Sequence, residues 1–240
     1  MAPFVKLIDL DPEWPALMQV RQIKNFKTWA CRPYPKNSRP QIPLFYTPTL
    51  GQRYPWTKPL WMLEKLTQGP VAQIFVFWIP LLIALSYKVH VDDRTGPIQL
   101  KWTLMGLCSW SFVEYWTHRA VFHNTFAFNY VPEFAFMVHF VHHKQPQDHW
   151  RLTMPLVMSL PLGSMILYTF WWLSSYNLQL TLSWGIGFGL GYICYDLMHF
   201  ITHFSPVSTS LQRHHLAHHG LCHRKYGFTT NFWDQVFCSD

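Results

Sequence analysis

Four stretches of the chain are apolar for most of their length: 71–87, 98–116, 152–173 and 178–195. Each approaches the ~20 residues that an α-helix needs to cross hydrocarbon. Long apolar runs of this kind predict an all-α integral membrane protein with four transmembrane helices. Trp and Tyr gather at the ends of the runs (Tyr87, Trp102, Trp116, Trp171, Trp172, Tyr195), as side chains do at a membrane interface. Buried helices of a soluble protein would explain the apolarity but not this belt. Residues 1–40 contain no apolar core of a signal peptide.

Charge orients the spans. With four crossings, residues 1–70, 117–151 and 196–240 share one side and hold 16 of the 19 Lys and Arg. The positive-inside rule makes that side, with both termini, cytosolic. Residues 1–65 read as a cytosolic N-terminal arm, rich in Pro, Lys and Arg and extended over the membrane surface; residues 66–240 form the membrane domain. The net charge of +7 suits anionic headgroups. No compact basic helix points to nucleic acid. The run "GIGFGLG" (185–191) lies inside an apolar stretch, so it reads as close helix packing rather than a nucleotide loop. Five scattered Cys with no C-x-x-C predict reduced thiols.

Histidine changes the picture. The chain has 14 His against 12 Asp plus Glu, and ten of them fall into four groups on the predicted cytosolic side. His139, His142 and His143 form one triad and His215, His218 and His219 another. His199 and His203 are a pair. Residues three and four apart share a helix face, so each triad is expected to point three imidazoles in one direction. His118 and His123 are five apart and need either a π-bulge or a helix end; the helix end is the reading adopted. His90, His149, His214 and His223 stand outside these spacings. Ten imidazoles exceed what one ion takes, so a dinuclear metal site in a cytosolic helical cap follows. The expected ligands are His118, His123, His139, His142, His143, His199, His203, His215, His218 and His219. Glu114 and Asp196, on faces shared with His118 and His199, are candidates to accept the ring N–H opposite the metal. Asp148 and Asp234 are further candidates, and no catalytic residue beyond the ligands is singled out.

The spacings H-x4-H, H-x2-H-H, H-x3-H and H-x2-H-H resemble those of the fatty acid hydroxylase superfamily, membrane non-haem di-iron enzymes. The stretches "FVEYWTHRAVFH", "HHKQPQDHWRL", "GYICYDLMHFITHF" and "HHLAHHGLCHRKYGFTTNFWDQVF" are most similar to its fatty acid 2-hydroxylase branch, and the likeness covers roughly residues 60–240. The resemblance implies two Fe ions on the ten histidines, with zinc able to take their place in purified protein. It also implies O2-dependent hydroxylation at C2 of a long acyl chain, either a free fatty acid or the N-acyl chain of ceramide or dihydroceramide. Residence in the endoplasmic reticulum membrane follows from the same likeness. Many members carry an N-terminal cytochrome b5 domain with a His-Pro-Gly-Gly signature. That signature is absent here, so electrons are expected from a separate cytochrome b5 and its NAD(P)H-dependent reductase. Two other readings share the histidines: a sterol oxidase or desaturase of the same superfamily, and a membrane metal carrier. Transport sites lie near the bilayer midplane, whereas these groups lie outside the apolar runs.

Overall fold

A computed structural model describes residues 16–31, 57–92, 96–123, 129–207 and 209–240. Among them the regular structure is entirely helical. In chain order the elements are α1 (Ala16–Val20), α2 (Phe26–Ala30), α3 (Thr57–Leu66), π1 (Ile74–Trp78) running into α4 (Ile79–Asp92), and α5 (Gly96–Trp116) running into π2 (Thr117–Phe122). Then come α6 (Pro132–Ala135), π3 (Phe136–Phe140), α7 (Val141–Lys144), α8 (Leu156–Leu173), α9 (Leu178–Phe204), α10 (Ser210–Leu221) and α11 (Phe232–Val236).

The four apolar runs become the four long helical segments, with shifted ends. The third begins at Leu156 because Pro155 is extended at its N-cap. The fourth opens on Asn177, whose side chain accepts from the Leu180 amide at 3.0 Å. It then continues without a break past residue 195 to Phe204, so His199 and His203 ride on the same rod as the apolar run. Two segments, Ile74–Val91 and Leu156–Leu173, are long and apolar enough to cross a bilayer by length and composition. Both present large apolar side chains outward, among them Val76, Ile83, Met165 and Leu173, a surface matched to hydrocarbon. Tyr87, Trp172 and Tyr176 are exposed near the far ends of these segments.

Helices α5 and α9 make the central pair and run parallel, with Thr103, Gly106 and Trp110 facing Ser183, Gly187 and Gly191 in register. Glycine permits the approach. A Cβ on Gly106 would stand 2.0 Å from the Trp184 carbonyl oxygen, and one on Gly187 only 1.8 Å from that of Thr103. The other two glycines of the run face elsewhere, Gly185 toward Leu167 of α8 and Gly189 toward Leu82 of α4. Gly187 and Gly191 thus share one partner helix, as small-x-x-x-small spacing predicts, whereas Gly185 and Gly189, spaced alike, meet two different helices.

On the cap side, part of the N-terminal arm departs from an extended conformation. Helices α1 and α2 are docked, burying Ala16, Val20, Phe26, Trp29 and Ala30 against Phe136, Phe140 and Val141. Lys144, itself buried, donates to the Trp29 carbonyl at 3.0 Å and lies over the Trp29 ring. A disulfide joins Cys31, just after α2, to Cys222 at the end of α10. This corrects the expectation of reduced thiols: an odd count leaves room for a bridge, and here the tertiary fold brings two cysteines 191 positions apart together. Cys108, Cys194 and Cys238 are free. Most of the arm's basic Pro-rich stretch, 32–56, lies outside the described residues.

Gly106→Ala and Gly187→Ala should each lower the thermal unfolding midpoint in detergent, at a cost of about 1–3 kcal/mol for forcing two backbones apart. Gly163→Ala, where an added Cβ meets nothing within 4 Å, should leave it unchanged or raise it slightly. Equal behaviour of all three would show that the crossing is not held by backbone contact.

Candidate metal centre

The ten predicted histidines come together as two groups of five. His118, His123, His139, His143 and His218 form one; His142, His199, His203, His215 and His219 form the other. Within each group the candidate ligand nitrogens all lie within 4.8 Å of one another. His90, His149, His214 and His223 belong to neither.

The local geometry explains this sorting and corrects two expectations. First, His118 and His123 are joined by a π-turn rather than by a plain helix end, and the His123 amide donates to the His118 carbonyl at 3.0 Å. An i→i+5 turn puts residues five apart on one face, so a spacing unsuited to an α-helix becomes a two-toothed fork. Second, neither triad points in one direction. Adjacent residues on a helix are about 100° apart, so His139 and His143 face one group while His142 faces the other. His215 and His219 likewise face the second group, and His218 turns to the first. Each H-x2-H-H triad therefore straddles both groups, and the rings of His143 and His219 stack at 4.3 Å where the groups meet.

Several Nε2 atoms approach one another closely: 3.1 Å for His118 and His139, 2.9 Å for His139 and His143, and 3.1 Å for His123 and His218. In the other group the separations are 3.1 Å for His142 and His199, and 3.0 Å from His215 to both His203 and His219. Backbone carbonyls fix the protons at the opposite nitrogens. His118 Nδ1 is 2.6 Å from the Tyr226 oxygen, His218 Nδ1 2.7 Å from that of Arg224, and His199 Nδ1 2.8 Å from that of Leu152. A carbonyl only accepts, so each of these Nδ1 atoms carries the proton and its Nε2 presents a bare lone pair. Each of these three Nε2 atoms stands 3.1 Å from the Nε2 of a partner ring, and the five nitrogens of each set converge within 4.8 Å of one another. Two nitrogens ~2.1 Å from a common centre, at right angles, stand about 3.0 Å apart. The donor sets therefore fit a metal ion each.

Electrostatics agree. Burial lowers the pKa of His118 from 6.5 to about 4, with the Tyr226 carbonyl opposing it in part. Burial, followed by the neighbouring imidazoles, depresses His139, His142, His143 and His215 well below the ordinary value. Neutral imidazole is the form that binds metal.

The four carboxylates act differently from the direct contact expected of them. Glu114 does not reach His118; it accepts from the amides of Phe228 (2.6 Å) and Thr229 (3.1 Å) and from the Thr229 hydroxyl. Asp234 accepts from the amides of Tyr226 and Gly227, both at 2.8 Å, from Ser239 Oγ at 2.8 Å and from His214 Nε2 at 3.1 Å. Burial alone would raise its pKa, but these donors outweigh it and hold the carboxyl below its usual range. Both carboxylates thus pin the 222–229 loop, in which Cys222 and Lys225 sit at positive φ, and the loop presents the Arg224 and Tyr226 carbonyls. Asp148 pairs with Arg151, which also binds Glu64, and this buried cluster sits beside the Leu152 carbonyl that orients His199. Asp196 contacts no imidazole through a hydrogen bond. Metal-site expectations look for side-chain partners, and the backbone oxygens that do this work leave no trace in residue identity.

A cavity of about 290 Å³ opens against both groups. His139 of the first and His142 and His199 of the second share its wall with apolar side chains such as Phe122, Val138 and Met158.

Residues 103–239 match the family model for fatty acid hydroxylase. The chain is 33% identical over 171 residues to a dihydroceramide fatty acyl 2-hydroxylase of Arabidopsis thaliana, covering 68% of this chain and 70% of that protein. It is 32% identical to a ceramide very long chain fatty acid hydroxylase of Schizosaccharomyces pombe, over 73% of this chain and 52% of that one. With the human fatty acid 2-hydroxylase it shares 29% identity over 99% of its own length and 67% of the relative's. Among solved structures it superposes on full-length Scs7p, of which only the hydroxylase domain is visible, with a TM-score of 0.78 and 26% identity, covering 98% of this chain and 86% of that one.

Two outcomes follow for the protein stripped of metal. Stability should be level above pH 7 and fall as pH drops from 6.5 toward 4, because the unfolded chain takes up protons on histidines that the fold keeps neutral. Tryptophan fluorescence against pH in detergent reads this, and acid-insensitive unfolding over that window would contradict it. Asp234→Asn should destabilise by on the order of 2–3 kcal/mol, since a buried charge-assisted acceptor is lost, as seen in the thermal midpoint.

Proposed function

The chain belongs to the fatty acid hydroxylase family, and from that premise we propose that it hydroxylates C2 of long acyl chains carried by sphingolipids. The carrying observation is a pair of buried, all-imidazole, five-nitrogen donor sets on the wall of an apolar cavity. We propose that each set holds one iron ion, His118, His123, His139, His143 and His218 the first, His142, His199, His203, His215 and His219 the second. Two such ions would supply the activation of O2 that an unactivated C–H bond demands. Zinc competes well for imidazole sites, so purified protein can carry it instead.

The chain's own residues do the rest. The carbonyls of Leu152, Arg224 and Tyr226 hold three of the rings as the Nδ1–H tautomer, keeping Nε2 inward without cost at each turnover. Apolar walls around Phe122 and Met158 accept a hydrocarbon chain and keep water from the reacting carbon. This arrangement suits a lipid entering from the bilayer rather than a solute from the cytosol.

The reading extends to topology: four crossings by π1–α4, α5, α8 and α9, with the cap and both donor sets on the cytosolic side of the endoplasmic reticulum membrane. The bias of Lys and Arg toward one side supports it. Residues 66–240 form the hydroxylase domain, and a cytochrome b5 with its NAD(P)H-dependent reductase delivers the electrons.

Cells lacking 2-hydroxylated sphingolipids and expressing this chain should regain them in lipid mass spectrometry, and His142→Ala and His218→Ala variants should not. Because these two histidines belong to different donor sets, each variant should lose about one of two bound ions per chain by elemental analysis. Absence of 2-hydroxy lipid with iron and electron donor supplied would refute the substrate assignment. Loss of both ions from each variant would refute the division into two sets.

A further inference from the structure

The Cys31–Cys222 bridge meets the metal centre from two sides. Cys222 caps α10, the helix that carries His215, His218 and His219, and its amide donates to the His218 carbonyl at 2.6 Å. Cys31 closes α2, which buries Phe26, Trp29 and Ala30 against Phe136, Phe140 and Val141, in the segment that carries His139, His142 and His143. The bridge therefore staples the two H-x2-H-H segments together through the docked arm. It also reaches a candidate ligand directly: Cys222 Sγ lies 3.4 Å from His143 Nδ1.

A disulfide sulfur has no hydrogen, so at this contact it accepts and His143 Nδ1 donates. The proton is thereby held at Nδ1, and His143 Nε2 faces the first donor set with a free lone pair, 2.9 Å from His139 Nε2. A thiol in the same place can donate instead, which admits the opposite tautomer and takes that lone pair away. Disulfides on the cytosolic side, where the cap is proposed to lie, are rare and usually transient or redox-sensing. The two sulfurs differ in access: Cys222 is 2% exposed, whereas Cys31 is partly exposed. We propose that the Cys31–Cys222 bridge is a redox-sensitive clasp on the first donor set, holding its ion when closed and letting the ion exchange when a cytosolic small-molecule thiol opens it. The incoming thiolate attacks Cys31 Sγ, the S–S bond breaks, and Cys222 leaves with the electron pair and takes up a proton. A second thiol then frees Cys31 from the mixed disulfide. Two external thiols are oxidised to one disulfide, and the bridge is reduced to two cysteine thiols. This inference rests on the reading of each donor set as holding an ion.

The test uses full-length protein in detergent, loaded with iron and titrated with a coloured iron chelator that reads the affinity of each bound ion. Reducing the wild type with a water-soluble phosphine should weaken one of its two ions by about tenfold or more, the worth of a lost outer contact to a ligand ring. Cys31→Ser breaks the bridge and keeps the Cys222 sulfur. It should show the same weakened ion without reductant, and phosphine should add nothing to it. Cys108→Ser, at a free exposed cysteine, should behave as wild type. In cells, thiol trapping followed by non-reducing mass spectrometry should find the pair partly open. Peroxide, which takes up the two thiol hydrogens and their electrons, should close it.

Two ions held as tightly after reduction as before overturn the proposal. So does equal weakening of both ions, or a phosphine effect on Cys31→Ser as large as on wild type, which would mark the reductant as a competing chelator. Should Cys31→Ser fail to fold, reduction of the folded wild type decides. A pair that never opens in cells, or never closes, also overturns the clasp. Oxidised wild type that binds no metal would sink the two-ion reading itself, whereas two ions indifferent to reduction sink the clasp and leave that reading standing.

Discussion

Two sets of five converging imidazoles, with neighbouring Nε2 atoms about 3 Å apart, are the constraint on which the rest of this structure depends. Protonating them is costly, since burial already holds His118 near a pKa of 4. A cation in each set would be met by five nitrogens at once. Binding and folding are then linked, because no such set exists in the unfolded chain. The surrounding polar contacts all serve to keep the rings from turning away. Carbonyls of Leu152, Arg224 and Tyr226 take the outward N–H groups, and Glu114 and Asp234 hold the loop that carries two of those carbonyls. The carboxylates thus act on the centre through the backbone. That fixes the tautomers of His118 and His218 without a carboxylate hydrogen bond to either ring.

Much of the architecture is legible in residue patterns because it follows from periodicity. Four apolar runs become four long helical segments, and Gly187 and Gly191 pack where small-residue spacing puts them. All ten grouped histidines converge, and the four others do not. The sorting into two sets is legible in principle too. A 100° step between neighbours obliges His142 and His143, or His218 and His219, to diverge. Treating each triad as one face overlooks that step. The π-turn at His118 and His123 is written in their five-residue spacing, since no α-helix satisfies it.

What sequence does not display has one physical character: it depends on tertiary neighbours rather than on residue type. Any residue could supply the carbonyls at 152, 224 and 226. The docking of α1 and α2 on Phe136 and Phe140 buries only short segments with no periodic signal. The Cys31–Cys222 bridge spans 191 positions, a distance across which spacing is uninformative. Asp196 falls in the same class. Its helical relation to His199 suggests a hydrogen bond to the ring, yet the Leu152 carbonyl occupies that nitrogen.

The parallel pair α5 and α9 ties the apolar helices to the histidine sets in one dimension. Gly106 and Gly187 mark the crossing, and His118 and His199 each lie twelve residues beyond it, about 18 Å along an α-helix. The two rods therefore place His118 and His199, members of different donor sets, at nearly the same height above their closest contact. Because carbonyl oxygens would meet a Cβ at that contact, the helices cannot slide by a residue without collision. The register that lets the two backbones touch is the register that sets the relative heights of His118 and His199. A rigid glycine crossing beneath a centre built from distant segments is thus a positional requirement, and it explains why α9 continues unbroken from the apolar run into the cap.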